Sequence, residues 1–151
     1  MTITFRNATR SELPEIIRLL ADDQIGVTRE KYEEPLLPAY YAAFDAIHAD
    51  NNCRLIVAEL ENKIIGTFQI TFIRYLTFQG GKRAIIEEVR IDKSMRNKGF
   101  GKMMMEWAIQ LAKENACHLV QLTSNKQRTQ AIEFYKRLGF VASHEGLKLY
   151  V

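Results

Sequence analysis

Proline and cysteine are scarce in this 151-residue chain. The three prolines, Pro14, Pro35 and Pro38, all fall before residue 40, so no Pro-rich linker divides the chain, and no internal repeat or low-complexity tract does so either. One domain over residues 1–151 is the expectation. The two cysteines, Cys53 and Cys117, are too few and too far apart for a disulfide framework or a metal-ligand spacing, and neither neighbours a His and an acid as a nucleophile would. They read as small packing groups in a reducing compartment. No apolar run approaches the roughly 20 residues that cross a bilayer, and Met1-Thr-Ile-Thr-Phe-Arg6 lacks the basic and apolar regions of a signal peptide. A cytoplasmic protein with no membrane partner and no metal is expected. An excess of one charge is missing too. Lys and Arg number 21 against 18 Asp and Glu, a net +3 scattered without a tail or stripe, which speaks against a nucleic-acid partner. Apolar material is plentiful, at 47% of residues with 10% aromatic, enough for a core.

Along the chain, Ile3 and Phe5 alternate with Thr4 and Arg6 as in a strand, and Thr9 with Glu12 forms a capping box ahead of Leu13, Ile16, Ile17 and Leu20. Residues 22–36 are polar, acidic and aperiodic. Helical spacing resumes through Tyr40, Tyr41, Phe44 and Ile47. The run 54–60, a turn at 61–63 and the alternating residues 64–74 predict an antiparallel hairpin, and the turn at Gln79–Lys82 leads to a further strand over 84–91. From Gly99, the residues Phe100, Met103, Met104, Trp107, Ala108, Leu111 and Ala112 predict a helix ending near Asn115. A short strand over 118–123, a helix through Ala131, Phe134, Tyr135 and Leu138 stopped by Gly139, and a terminal strand over 147–151 complete the order. The fold class predicted is α+β: a meander and then a strand–helix–strand crossover, giving a mixed sheet with helices on both faces.

The segment Arg96-Asn97-Lys98-Gly99-Phe100-Gly101-Lys102 lies between a strand and the most regular helix. A helix start leaves N–H groups unpaired at the positive end of the macrodipole, a ready site for phosphate. Gly99 and Gly101 keep side chains out of the way, and Arg96, Lys98 and Lys102 add positive charge, so a diphosphate fits. The same letters also describe a tight turn with solvated bases. The spacing matches neither a P-loop nor a dinucleotide fingerprint.

Ile86-Glu-Glu-Val-Arg-Ile-Asp92 followed by Arg96-x-x-Gly-x-Gly101 resembles the central motif of the GNAT superfamily of N-acetyltransferases. The resemblance continues in Leu122-Thr-Ser-Asn125, in Ala131-Ile-Glu-Phe-Tyr-Lys-Arg-Leu-Gly-Phe140 and in the opening Phe5-Arg-Asn-Ala-Thr9, and leaves residues 22–50 poorly matched. It implies acetyl-coenzyme A as co-substrate, with the pyrophosphate on residues 96–102. It also implies a mostly antiparallel sheet whose fourth strand, at Val89, Arg90 and Ile91, splays from the fifth so that free backbone groups meet the pantetheine arm. Asn125 matches a position that contacts the cofactor, though Asn also fills turns without any ligand.

Acetyl transfer needs an unprotonated amine, a donor to the developing oxyanion and a proton for the departing thiolate. Tyr135 matches the family tyrosine placed to protonate the sulfur, and it also lies on an apolar helix face where it would simply pack. Glu87 and Glu88 are the candidate bases, because a carboxylate on a central strand is costly to bury unless it is paired or functional. Alternation groups Glu87 with Ile85, Val89 and Ile91, and Glu88 with Ile86 and Arg90, unless a bulge spoils the parity. Glu88 resembles an active-site acid of aminoalkylphosphonate-type members, and the oxyanion donor implied is a backbone N–H near Val89 or Arg90. The expected acceptor is the primary amine of a small molecule, with Tyr32 and Tyr41 walling its pocket and His144 at the mouth or simply exposed. A protein or peptide acetyltransferase and a non-catalytic coenzyme A sensor stay open, as does a homodimer.

Overall fold

The computed structural model describes residues 2–151. In chain order the elements are β1 (Ile3–Asn7), α1 (Leu13–Ala21), α2 (Gly26–Arg29), α3 (Pro38–Ala49), β2 (Cys53–Leu60), β3 (Lys63–Arg74), α4 (Thr77–Gly80), β4 (Lys82–Ile91), α5 (Phe100–Glu114), β5 (Leu119–Leu122) and α6 (Thr129–Arg137). The segment α4 is a hairpin tip in which Phe78 and Gln79 have left-handed backbone angles, so it is a turn and not a helix. The strands form one sheet in the order β1-β2-β3-β4-β5. The first four are antiparallel and β5 runs parallel to β4, across the α5 crossover.

Pattern explains placement. In β2 and β3 the central residues Ile56, Val57, Ala58, Phe68 and Ile70 are buried on both sheet faces, because helices cover both. One face packs Ile56, Phe68, Ile70, Ala84 and Ile86 against Met104, Met105, Ala108 and Leu111 of α5. Trp107 lies edge-on to Phe68 at 6.3 Å and beside Phe5 at 5.5 Å. The other face packs Leu55 and Val57 against Leu13, Ile16, Ile17 and Leu20 of α1 and Phe44 of α3. The Glu12 carboxylate accepts the Thr9 N–H at 2.7 Å, as the capping box requires. Thr67, polar and buried, satisfies its hydroxyl by donating to the Ile56 carbonyl at 2.8 Å.

Two expectations are corrected. Residues 147–151 form no strand here; they are irregular and exposed. In α5 it is Met105 that is buried while Met103 is 43% exposed. Three adjacent methionines leave the stripe's phase open, and the helix settles with Met104 and Met105 both on the sheet.

Candidate active site

The sheet opens between β4 and β5. Only Arg83–Ile86 pair with Leu119–Leu122, so β4 continues through Glu87–Ile91 with no neighbour on that side. At the same place the β3–β4 register jumps from Gln69↔Glu87 to Thr67↔Arg90, so that Glu88 and Val89 stand opposite Phe68 alone. This is a β-bulge, and Glu88 takes a positive φ of 57° to make it. The bulge overturns simple alternation: Val89 and Ile91 join Ala84 and Ile86 against the α5-side core, and Arg90 turns to the other face. It also takes Glu88 and Val89 out of the β3 register, on the part of β4 that has no β5 neighbour.

Glu88 lies on the part of β4 that has no β5 neighbour. Part of the residue is open to solvent, yet desolvation of the carboxyl by the protein packed around it raises its pKa above the ordinary Glu range. Repulsion from Glu30 and Glu87 adds to this, and Arg90 and Arg29 oppose it. Glu87, next to it, is also exposed. Arg90 is the common neighbour of the site. Burial and the nearby Arg128 lower its pKa, while Asp23 and Tyr135 act the other way. Its Nε lies 3.6 Å from an Asp23 carboxylate oxygen, an ion pair too long to be a hydrogen bond, and that N–H has no other partner.

Asp23 ties the site together from the loop between α1 and α2. One of its oxygens meets Arg128, just before α6, and Arg90 of β4. The other accepts the N–H groups of Ile25 and Gly26. The loop is thereby latched over the split from two sides. Sequence reasoning missed Asp23, Arg29 and Arg128. Asp23 lies in the aperiodic acidic stretch and its partner is 105 residues away, so no local pattern marks the pair.

At the start of α5, Gly99 is the N-cap with φ 85° and has no side chain to cap with. The first amide there with a backbone partner is that of Met103, donating to the Gly99 carbonyl at 3.1 Å, so the N–H groups of Phe100, Gly101 and Lys102 are left for another acceptor. A Cβ on Gly101 would meet only ordinary contacts, the nearest with Phe134 at 3.6 Å. The protein's own packing therefore does not demand glycine there. Arg96 donates to the Ile91 carbonyl at 3.0 Å, Lys98 is exposed, and Lys102 pairs loosely with Glu106 at 3.7 Å. Asn97 makes the turn with φ 61°.

Tyr135 of α6 is half-buried, with its ring against Phe134 and edge-on to Phe140. Burial pushes its phenol above the usual range, with Arg90 and Arg128 pulling the other way. Asn125 uses its side-chain oxygen to accept the Gln127 N–H at 2.9 Å, a turn that leads into α6. The proposed acceptor-pocket residues are not gathered here. Tyr41 lies under the Arg10 guanidinium at 4.6 Å, in a groove shared with Pro35, Leu36 and Pro38. Tyr32 is 48% exposed, and His144 pairs with Ser143 in the exposed C-terminal segment. A second cavity also lies away from the split, lined by Arg6, Glu12, Glu59, Arg18 and Asp92. Those charges answer one another, Arg6 with Glu12 and Glu59, and Arg18 with Asp92. Among the described residues no three His, Cys, Asp or Glu side chains group as a metal site, and no helix is long and apolar enough to cross a membrane.

A model of the acetyltransferase (GNAT) family matches residues 14–140. The chain belongs to that family. An uncharacterized N-acetyltransferase of Methanocaldococcus jannaschii is 27% identical over 139 residues, which cover 92% of this chain and 61% of the relative; the chain thus spans less than two thirds of that protein. The peptidyl-lysine N-acetyltransferase YjaB of Salmonella typhimurium is 42% identical over 128 residues, 77% of this chain and 83% of the relative. Among solved structures, a transcriptional regulator from Bacillus halodurans C-125 is 49% identical, with a TM-score of 0.96 over 99% of this chain and 100% of its own. A predicted acetyltransferase from Clostridium acetobutylicum, solved with acetyl-CoA, is 23% identical with a TM-score of 0.76 over 99% of this chain and 96% of its own. That last likeness bears on the fold alone. The mixed five-stranded sheet with helices on both faces is thus a GNAT fold.

Proposed function

We propose that this protein is an acyltransferase that moves an acetyl group from acetyl-coenzyme A to the primary amine of a small molecule. The observation that carries the reading is the continuous stretch from Glu87 to Lys102, where a bulged carboxylate, an opened sheet and a row of unpartnered helix amides follow one another. The cradle fits a pyrophosphate: its amides are free, and Gly101 is glycine without a packing reason.

Acetyl-coenzyme A would supply the activated thioester. Phe100, Gly101 and Lys102 would donate backbone N–H groups to its pyrophosphate, with Arg96 and Lys98 adding charge and Asn97 and Gly99 shaping the turn. Val89, Arg90 and Ile91, which lack a β5 partner, would meet the pantetheine arm, and the Asn125 amide would flank it from the opposite side of the split. Glu88, held above the ordinary carboxylate range, would take the ammonium proton directly or through water, with Glu87 as the alternative base. The Val89 N–H, at the bulge, would stabilise charge on the carbonyl oxygen. The Tyr135 phenol, protonated at neutral pH, would donate toward the departing sulfur.

The Asp23 latch supports a small acceptor, because it draws a loop over the split where a peptide acetyltransferase needs an open groove. The likeness to a peptidyl-lysine acetyltransferase favours the second reading, a lysine side chain as acceptor. The two free, half-buried thiols suit a reducing cytoplasm. The test is calorimetry of the intact protein with coenzyme A, followed by thiol release from acetyl-coenzyme A with polyamines, amino acids, aminoalkylphosphonates, aminoglycosides and lysine peptides. Binding with release on a small amine is expected. Release only on peptides moves the acceptor to the second reading, binding without release on any amine makes the protein a sensor, and no binding overturns the proposal.

A further inference from the structure

The Arg90 guanidinium is buried with little to answer its charge. Its side chain is only 12% exposed, and a cation so placed needs an anion in hydrogen-bond contact. Asp23, the carboxylate that faces it, is already engaged: one oxygen accepts the N–H groups of Ile25 and Gly26, and the other takes Arg128. Arg90 is left with the 3.6 Å contact to Asp23, a hydrogen bond from Nη1 to the Val89 carbonyl at 2.8 Å, and an Nε–H that has no partner. Burial and then repulsion from Arg128 and Arg29 outweigh what Asp23 and Tyr135 give back.

Charges of both signs stand around it. Arg29, the last residue of α2, acts on both Arg90 and Glu88. Its side chain is 54% exposed, and its 3.8 Å contact with Glu30 is too long for a hydrogen bond. Glu30 and Glu88 repel each other. The Tyr40 hydroxyl donates to Glu30 at 3.0 Å and accepts the Lys31 N–H at 2.9 Å, which holds that carboxylate in place from α3. Two guanidiniums with N–H groups to give and two carboxylates in mutual repulsion thus lie within range of one another. A simple amine or polyamine would answer the carboxylates and add to the positive charge at the arginines.

We propose, resting on the acetyl-transfer reading, that the acceptor is a zwitterion: an amine bearing a carboxylate or phosphonate, whose anion Arg90 and Arg29 bind while Glu88 and Glu30 face its ammonium. The anion takes the unpartnered Nε–H of Arg90 and supplies the negative charge that Asp23 does not. Asp23 in turn sets where Arg29 stands, because the N–H groups it accepts lie at the start of α2. The ammonium relieves the repulsion between Glu30 and Glu88 and arrives with the proton that Glu88 is to remove.

The test uses matched amines: glycine, β-alanine and γ-aminobutyrate against their amides, and aminoethylphosphonate against its diethyl ester. Thiol release from acetyl-coenzyme A is measured with each, and calorimetry measures their binding to the protein saturated with coenzyme A. In at least one pair the anionic member should exceed its neutral partner by at least about thirtyfold in kcat/KM and about tenfold in affinity. Which pair does so tells carboxylate from phosphonate. In Arg90→Gln and in Arg29→Gln the ratio should fall below about threefold; comparing two amines on one protein cancels any general loss of activity. Arg29 is exposed and outside both cores, so Arg29→Gln keeps the test valid if Arg90→Gln fails to fold. Equal behaviour within every pair, or a ratio that survives Arg29→Gln, overturns the zwitterion and leaves acetyl transfer standing. Tighter, Arg29-dependent binding of the anionic amines with no thiol release from any amine overturns acetyl transfer and leaves the anion site standing.

Discussion

Asp23, in the loop after α1, holds Arg128 at the foot of α6 and at the same time faces Arg90 on β4. One carboxylate thus answers two arginines that repel each other, and all three are largely shielded from water. Removing its charge leaves both cations without an answer. Asp23→Asn should cost about 1–3 kcal/mol of stability, read as a fall in urea midpoint. It should raise KM for the acceptor amine while leaving the Kd for coenzyme A within about threefold. An unchanged acceptor KM would show that the latch shapes nothing the acceptor feels.

The two cradle glycines separate folding from binding. Gly99 sits at φ 85°, where an L side chain is strained, so Gly99→Ala should cost about 1–2 kcal/mol. Gly101 lies within α5 and has room for a methyl group, so Gly101→Ala should leave stability unchanged or raise it by up to about 1 kcal/mol. It should nevertheless weaken coenzyme A at least about tenfold, because the methyl stands where the pyrophosphate must approach. Thermal unfolding and calorimetry on the same preparations give both numbers. Full affinity in Gly101→Ala would remove the main support for the cradle.

Strands and helices were legible where burial imposes a period: the alternation of 64–74, the extent of α5 and the stop at Gly139 all appear in the structure, while the phase of the α5 stripe shifted to Met105. The cradle was legible too, since it depends on residues adjacent in sequence. What was hidden depends on distant partners. The parity of Val89, Arg90 and Ile91 reverses at a bulge that Phe68 on β3 helps to define, and the latch joins residues 105 apart. Tyr41, expected as a wall of the acceptor pocket from its place in the 22–50 region, has Arg10 over its ring, a contact between distant residues that no local pattern marks. The terminal alternation 147–151 has the right period for a strand, yet no neighbour in its own chain pairs with it.

Glu88 joins strain to chemistry. A non-glycine residue at φ 57° costs of order 1 kcal/mol, so Glu88→Gly should stabilise the protein by about 0.5–1 kcal/mol while abolishing most transfer. Glu88→Gln keeps the shape and loses the base, and should lower kcat about 10- to 100-fold. Burial raises the carboxyl's pKa and only its ionised form accepts a proton. The wild-type rate should therefore climb with pH through a value above the ordinary 4.5 of Glu. That limb should vanish in Glu88→Gln. A pH–rate profile of the two proteins decides whether Glu88 or Glu87 is the base, since persistence of the limb assigns it to Glu87.

Away from the site, Asp92 gives the fold a measurable acid limit. Its carboxylate accepts from the Ser94 hydroxyl at 2.7 Å and amide at 2.9 Å and from Arg18 at 2.7 Å. These hydrogen bonds, the one from the Ser94 hydroxyl foremost, hold its pKa down to about 2 from an ordinary 3.8. Because the folded value is the lower one, the unfolded chain binds this proton more readily. The stabilisation is full above about pH 4 and is lost as pH falls toward 2. Its size, reduced for partial solvent screening, is about 1–2 kcal/mol. Asp92→Asn should therefore be less stable than the wild type by that amount at pH 7. Urea unfolding at pH 7, 4 and 2.5 should show the difference closing between the last two. A gap that stays constant to pH 2.5 would mean that packing at residue 92, and not its charge, stabilises the junction between β4 and the cradle.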